Sequence, residues 1–190
     1  MRRLALLPLL LSVLIACGKT EPQAPSPQAD AGKAAVQMPA PVAEYLAALE
    51  AVEESKAPTA LEALFDQAEG AQAALMSITG EEAVLERYSA AEFTALQAEV
   101  RGLVLHRELD IYAQPDPPFF LALAKAHGQP ADAAFFTQYA ATWGPDLVPV
   151  YLKLRPQPTP CVRFGEGRIA PLYAGWKAFA TQHPTAYAKH

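Results

Sequence analysis

Cys161, in the run Cys161-Val162-Arg163, is the residue of this chain best suited to nucleophilic chemistry. A thiol attacks as the thiolate, and Arg163 and Arg168 either favour that form or form surface ion pairs. No histidine precedes it as a base; Thr159 and Pro160 stand there instead. The histidines are His106, His127, His183 and His190. His106 and Asp110 would share a helix face at i, i+4 and offer two metal ligands. No third ligand stands at a telling spacing, and no metal is expected. His127 precedes Gly128, where an imidazole can meet the last carbonyls of a helix. His183 precedes Pro184 at an expected helix end, and His190 is expected to be mobile. Glu53-Glu54 and Glu81-Glu82 are adjacent in sequence, so neither pair shares one helix face as a catalytic dyad would. Gly165-Glu166-Gly167 is too short to cradle a phosphate and reads as a turn. No complete catalytic set and no cofactor site follow, which leaves Cys161 as a weak catalytic candidate.

Cys161-Val162-Arg163, with Leu172-Tyr173 further on, resembles the nucleophile segment of L,D-transpeptidases, periplasmic enzymes that cross-link peptidoglycan through a cysteine. That family places a Gly immediately before the Cys and a His two residues before it. Here Pro160 and Thr159 occupy those positions. The family also uses a β-rich catalytic domain, and the resemblance spans only about a dozen residues. The default reading of Cys161 is a buried thiol acting as a small hydrophobe, and the third is pairing with another chain.

Binding residues are sought among the aromatics and the bases. Phe119, Phe120, Phe135, Phe136 and Trp176 recur at helical spacing and read as core. Trp143, beside Gly144-Pro145, is the exception and is expected on a binding surface, together with Arg155, Arg163, Arg168 and Lys177. Residues 41–112 carry 14 acids against 4 bases, whereas residues 113–190 carry 4 acids against 7 bases. The acidic half argues against nucleic acid, which needs concentrated Lys and Arg. An acidic face suits a basic protein partner.

These residues must be positioned by helices. Val42, Tyr45, Leu46, Leu49 and Val52 form one stripe behind Pro41. Thr59-x-x-Glu62, Thr79-x-x-Glu82 and Ser89-x-x-Glu92 each read as a capping box. The first opens a helix with Leu61, Leu64, Phe65, Ala68, Ala71, Leu75 and Ile78 on one face. The second opens a short helix, and the third a longer one bearing Phe93, Leu96, Val100, Leu103, Val104 and Ile111. A weak repeat follows at an offset of 16 residues: Asp116-Pro-Pro-Phe119-Phe120 to Gly128, then Asp132-Ala-Ala-Phe135-Phe136 to Gly144. Each copy predicts one short helix with an acid near its start, and the two together an αα-hairpin. Pro145, Pro149, Pro156, Pro158 and Pro160 then forbid a continuous helix. Residues 150–154 and 161–164 suit a small two-stranded element. Ile169, Leu172, Tyr173, Trp176 and Phe179 predict a last amphipathic helix ended near Pro184. Thirteen of the seventeen aromatics fall in residues 112–187, so that half is expected to supply most of the core. The fold class expected is all-α: five to seven helices in one domain, residues 41–190, with an irregular Pro-rich segment before the last helix.

The start of the chain has another character. Arg2 and Arg3 precede the apolar run 4–16, which is too short to span a bilayer and reads as a cleaved export signal. Leu14-Ile15-Ala16-Cys17 resembles the lipobox of bacterial lipoproteins. The resemblance implies cleavage of residues 1–16, lipid on the Cys17 thiol, and membrane attachment through that lipid. Gly18, rather than Asp, follows Cys17, and by the same resemblance favours the outer membrane with the domain facing the periplasm. Residues 17–40 are then a lipidated Cys and a Pro/Ala-rich tether expected to be disordered. A lipid on Cys17 would leave Cys161 without a partner for a disulfide within the chain. The functional expectation is a binding protein without catalytic activity: an envelope assembly factor, or an inhibitor or immunity protein for a periplasmic enzyme. The alternatives are a cysteine-dependent cell-wall enzyme using Cys161 and a small-ligand or lipid carrier.

Overall fold

The computed structural model describes residues 37–107, 111–144, 147–154, 162–164 and 169–190, with only the backbone described for 152–154 and 162–164. All of them belong to one compact unit, Ala35–His190. The unit is mostly helical, with strands between the helices. In order come α1 (Ala40–Glu54), α2 (Glu62–Met76), β1 (Ile78–Thr79), β2 (Glu82–Ala83), a 3-10 turn (Val84–Arg87) and α3 (Ala90–Glu99). There follow β3 (Leu103–Arg107), β4 (Ile111–Pro115), α4 (Pro117–His127), α5 (Pro130–Thr142), β5 (Leu152–Leu154), β6 (Val162–Phe164) and α6 (Ile169–Gln182). The six α-helices among the described residues lie within the expected five to seven, but the strand pairs mean that the fold is not plainly an all-α bundle.

α1 follows its stripe: Val42, Tyr45, Leu49 and Val52 are buried. So does α2 through Leu64, Phe65, Ala68, Ala71 and Leu75, but Ile78 lies beyond the helix and is 75% exposed. The three expected capping boxes have three outcomes. Ser89 and Glu92 form theirs: Ser89 Oγ accepts from the Glu92 amide at 3.3 Å, and Glu92 Oε2 accepts from the Ser89 amide at 2.8 Å. Thr79 and Glu82 instead face each other across the β1–β2 turn, because Gly80, at φ +80°, takes a left-handed conformation that reverses the chain. Thr59 donates its amide to the His127 carbonyl at 2.8 Å, and α2 starts only at Glu62, behind Leu61.

The larger departure concerns the helix expected from Ser89 to Ile111. α3 stops at Glu99, Gly102 turns the chain at φ +76°, and β3 pairs antiparallel with β4. Leu103 and Leu105 alternate with Val104 and His106, a period of two that buries Leu103, Leu105, Ala113 and Pro115 on one face. A Cβ on Gly102 would collide with the Tyr45 hydroxyl and stand 2.7 Å from the Phe119 ring, so α1 and α4 close on this turn. The Asp116 amide donates to the Gly102 carbonyl at 2.9 Å and closes the base of the hairpin.

α4 and α5 pack as the expected αα-hairpin. β5 and β6 pair antiparallel within the two segments expected to be extended. Among the described residues the core is not drawn mainly from the aromatic half: most buried apolar positions lie between Val42 and Leu105. Phe65 of α2 sits at the centre, with the rings of Phe120, Phe136, Tyr139 and His190 each 5.2 Å from its own. Phe120, Phe135 and Phe136 are buried, and Phe119 and Trp176 pack half-buried against them, as their spacing predicts. On α6 only Phe179 is fully buried; Ile169 and Tyr173, expected on the inner face, are 49% and 69% exposed.

Candidate functional site

The outer face of the β3–β4 hairpin carries Val104, His106, Tyr112 and Gln114, the residues that alternate with the buried set. His106 and Tyr112 are direct cross-strand partners, and their rings stack with centroids 4.9 Å apart and planes 13° from parallel. Val104, His106 and Tyr112 form one wall of a cleft of about 760 Å³. Asp116, Pro117 and Pro118 at the start of α4 contribute the floor. Ala140 and Trp143 at the end of α5, with Gly144, Leu147 and Val148 beyond it, form the opposite wall. That wall is held by hydrogen bonds from the Gly144 amide to the Val148 carbonyl at 2.8 Å and from the Val150 amide to the Thr142 carbonyl at 2.8 Å.

Among the described residues that line the cleft, Asp116 is the acidic one. It is half-buried at the N-cap of α4 without forming a side-chain cap. A helix start normally offers an N-cap acid several free amides. Here Pro117 and Pro118 occupy the first two helical positions and have no N–H. The Phe120 amide is already committed to the Asp116 carbonyl at 3.1 Å. Only the Phe119 amide remains to favour the charged form, and burial outweighs it, holding the carboxyl above its ordinary range. No basic group among the described residues pairs with it.

Trp143 is half-buried, and its ring meets that of Tyr139 at 6.1 Å. Burial pushes the Tyr139 hydroxyl up to about 12, opposed by the nearby Gln114 amide and Trp143 indole. The Tyr139 hydroxyl also donates to the Pro115 carbonyl at 3.4 Å. Trp143 Nε1 and Gln114 Nε2 are buried without hydrogen-bond partners among the described residues, and Trp143 lines the cleft while its ring meets Tyr139.

Of the residues expected at a binding surface, Trp143 lines the cleft and Lys177 is exposed on α6, away from it. Arg155, Arg168, Cys161 and Cys17 lie outside the described residues, as does the side chain of Arg163. His106 stands on a strand, so the i, i+4 geometry proposed for it with Asp110 does not exist; Asp110 itself lies outside the described residues. The contributions of Val104 and Tyr112 were hidden by the expectation of a continuous helix. The signal that could have found them is Gly102 followed by alternating Leu103 and Leu105.

A second polar cluster lies on α2. Asp66 and Glu69, one turn apart, meet His190: Nε2 is 2.9 Å from Asp66 Oδ1, and Nδ1 is 3.4 Å from Glu69 Oε2. The imidazole is only 10% exposed and packs on Phe65, so His190 is tied down where mobility was expected. One ligand atom from each of the three residues lies within 4.8 Å of the others, a spacing a metal ion could bridge. Lys189 already pairs with Asp66. Burial raises the Asp66 carboxyl, but hydrogen bonds from Lys189 and His190 prevail and hold it below its ordinary value.

A third polar centre is internal. Asp132, 3% exposed, accepts from the Leu61 amide at 3.1 Å, the Gln129 amide at 2.7 Å and the Tyr187 hydroxyl at 2.6 Å. It joins the start of α2, the start of α5 and the final turn, and its satisfied oxygens fit it for structure.

The chain matches no family model, no curated protein and no solved structure.

Proposed function

We propose that this chain is a lipid-anchored, periplasm-facing binding protein that acts without catalysis, with a basic protein of the bacterial envelope as its partner. Two roles fit: an assembly factor, or an inhibitor or immunity protein for a periplasmic enzyme. The observation that carries the reading is the cleft beside the β3–β4 hairpin, where stacked His106 and Tyr112, Trp143 and the half-buried Asp116 line one recess. Fixed aromatic walls supply contact area at little conformational cost, and an under-compensated carboxylate favours a cation. The acidic excess of residues 41–112 would draw a basic surface towards it. The membrane attachment rests on the lipobox resemblance at Cys17.

Two measurements test the reading. Metabolic labelling with a fatty-acid analogue should mark the full chain and not its Cys17→Ala variant. Affinity capture from detergent-solubilised envelopes should recover the same protein repeatedly at low salt and lose it at high salt, as an electrostatic interface requires. Absence of any reproducible partner at low salt would refute the binding role.

A further inference from the structure

We infer that the cleft is a receptor for one cationic side chain, a lysine or arginine of the partner protein, with Asp116 as its counter-ion and the rings of Tyr112 and Trp143 as its walls. This deepens the proposed function and rests on it for the partner.

Three observations converge. First, Asp116 is half-buried without a basic partner among the described residues. A carboxylate withdrawn from water is costly unless it is paired or hydrogen-bonded. Second, its usual compensation at a helix start is reduced. Of the second and third helical amides that an N-cap side chain accepts from, Pro118 has none to give, and only that of Phe119 serves the carboxylate. The helix end that ordinarily invites an anion here holds an acid in need of a donor. Third, the recess around that acid is aromatic. Cation–π attraction favours an ammonium or guanidinium over the face of Trp or Tyr, most strongly where water is excluded. The aliphatic stem of Lys or Arg would lie against Val104 and Pro118 while its head reaches Asp116. The recess is also large enough for a side chain and the peptide that bears it.

A neutral apolar side chain would fill the same space but leave Asp116 unpaired, so the cleft should discriminate by charge more than by shape. An anion should be rejected outright.

The test uses the soluble chain from residue 18 and reads the indole signals of Trp143 and Trp176 by NMR, assigned with Trp143→Phe. The probes are acetyl-Gly-Lys-Gly-amide and its norleucine counterpart at constant ionic strength. The lysine peptide should move the Trp143 signal saturably, with Trp176 unmoved, and bind at least tenfold more tightly than the norleucine peptide. Asp116→Asn, which keeps a good N-cap residue, should remove that preference. Equal response to both peptides, or a preference that survives Asp116→Asn, would overturn the assignment. The comparison of peptides on the unmodified chain stands even if the variant does not fold. Envelope capture separates the two claims. A partner held equally by the unmodified chain and by Asp116→Asn would sink this site and spare the binding role. Lysine selectivity without any captured partner would do the reverse.

Discussion

Asp132 offers the sharpest test of how this fold is held. Its carboxylate takes three donors at 2.6–3.1 Å in a position 3% exposed, so no water stands ready to replace it. Asp132→Ala strips the acceptor from all three. Hydrogen bonds to a charged partner are worth about 1.5–3 kcal/mol each, giving a simple sum of roughly 4.5–9 kcal/mol. The Gln129 residue is exposed and its amide can turn towards water, which lowers the expectation to about 3–5 kcal/mol. That is a large share of a typical domain's total stability. Asp132→Asn separates acceptor from volume. Its remaining oxygen can still serve Leu61 and Tyr187, which both use Oδ1, while its amide opposes the Gln129 N–H. A cost of about 1–2 kcal/mol follows. Tyr187→Phe keeps the ring stacked on Phe135 at 3.8 Å and loses only the hydroxyl, for about 1.5–3 kcal/mol. Urea unfolding followed by circular dichroism reads all three, and a double-mutant cycle should show Asp132 and Tyr187 coupled. Loss of less than about 1 kcal/mol in Asp132→Ala, or equal losses in the Ala and Asn variants, would refute the reasoning.

Other expectations follow from single sites. Gly102→Ala must place a Cβ against the Tyr45 hydroxyl and the Phe119 ring at a positive φ, so unfolding experiments should show a loss above about 2 kcal/mol. Phe65→Ala removes the ring at the centre of the aromatic cluster and should cost about 3–5 kcal/mol in the same assay. Burial raises the hydroxyls of Tyr45, Tyr139 and Tyr187, the last also through Asp132. A raised folded pKa contributes stability that is complete below the unfolded value and lost above it. Stability should therefore fall as pH rises past 10, and Tyr139→Phe should flatten that fall between 10 and about 12. Asp66 has the opposite sign: its lowered carboxyl stabilises above the ordinary 3.8 and stops doing so as pH falls through and below that value. Protection of the His190 amide, whose N–H bonds the Tyr187 carbonyl at 3.0 Å, should fall below pH 4 relative to the intrinsic exchange rate and lose that dependence in Asp66→Asn.

Local periodicity made α1, α2, α4 and α5 legible, because each buries one stripe that hydrophobic spacing alone identifies. It misled at residues 100–111, where Val100, Leu103, Val104 and Ile111 fit a helix about as well as a strand. Gly102 decides between them. Its left-handed turn and the close approach of Tyr45 and Phe119 both call for a residue without a Cβ, and neither neighbour can be read from the local run. The candidate cleft was hidden for the same reason, since its first wall is the hairpin that the helix displaced. The turn at Tyr187 and His190 was also illegible: its anchors, Asp132 and Asp66, are remote in sequence.

The two acids of the weak repeat show how little a matched letter fixes. Asp116 and Asp132 stand at equivalent places, each before paired Phe residues, yet one opens on a cleft and the other is buried under three donors. The difference lies in the prolines. A proline takes the first helical position readily, because the amide it lacks would have had no partner there. Pro117 fills that position in α4, one residue after Asp116, which makes Asp116 the N-cap. Pro130 fills it in α5, two residues before Asp132, which moves Asp132 to the third helical position. From there its carboxylate reaches back to the Gln129 amide and across to Leu61. Ala133 and Ala134 allow that helix to run on through the acid, whereas Pro117 and Pro118 both start α4 late and strip its first amides. One copy thereby spends its acid on the fold, while the other is left with an acid the fold does not satisfy. Moving the proline should exchange these roles in part. Pro117→Ala with Pro118→Ala restores the missing amides, of which that of residue 118 can reach the Asp116 carboxylate, and should bring its carboxyl back down and weaken the cleft's preference for lysine over norleucine in the peptide titration.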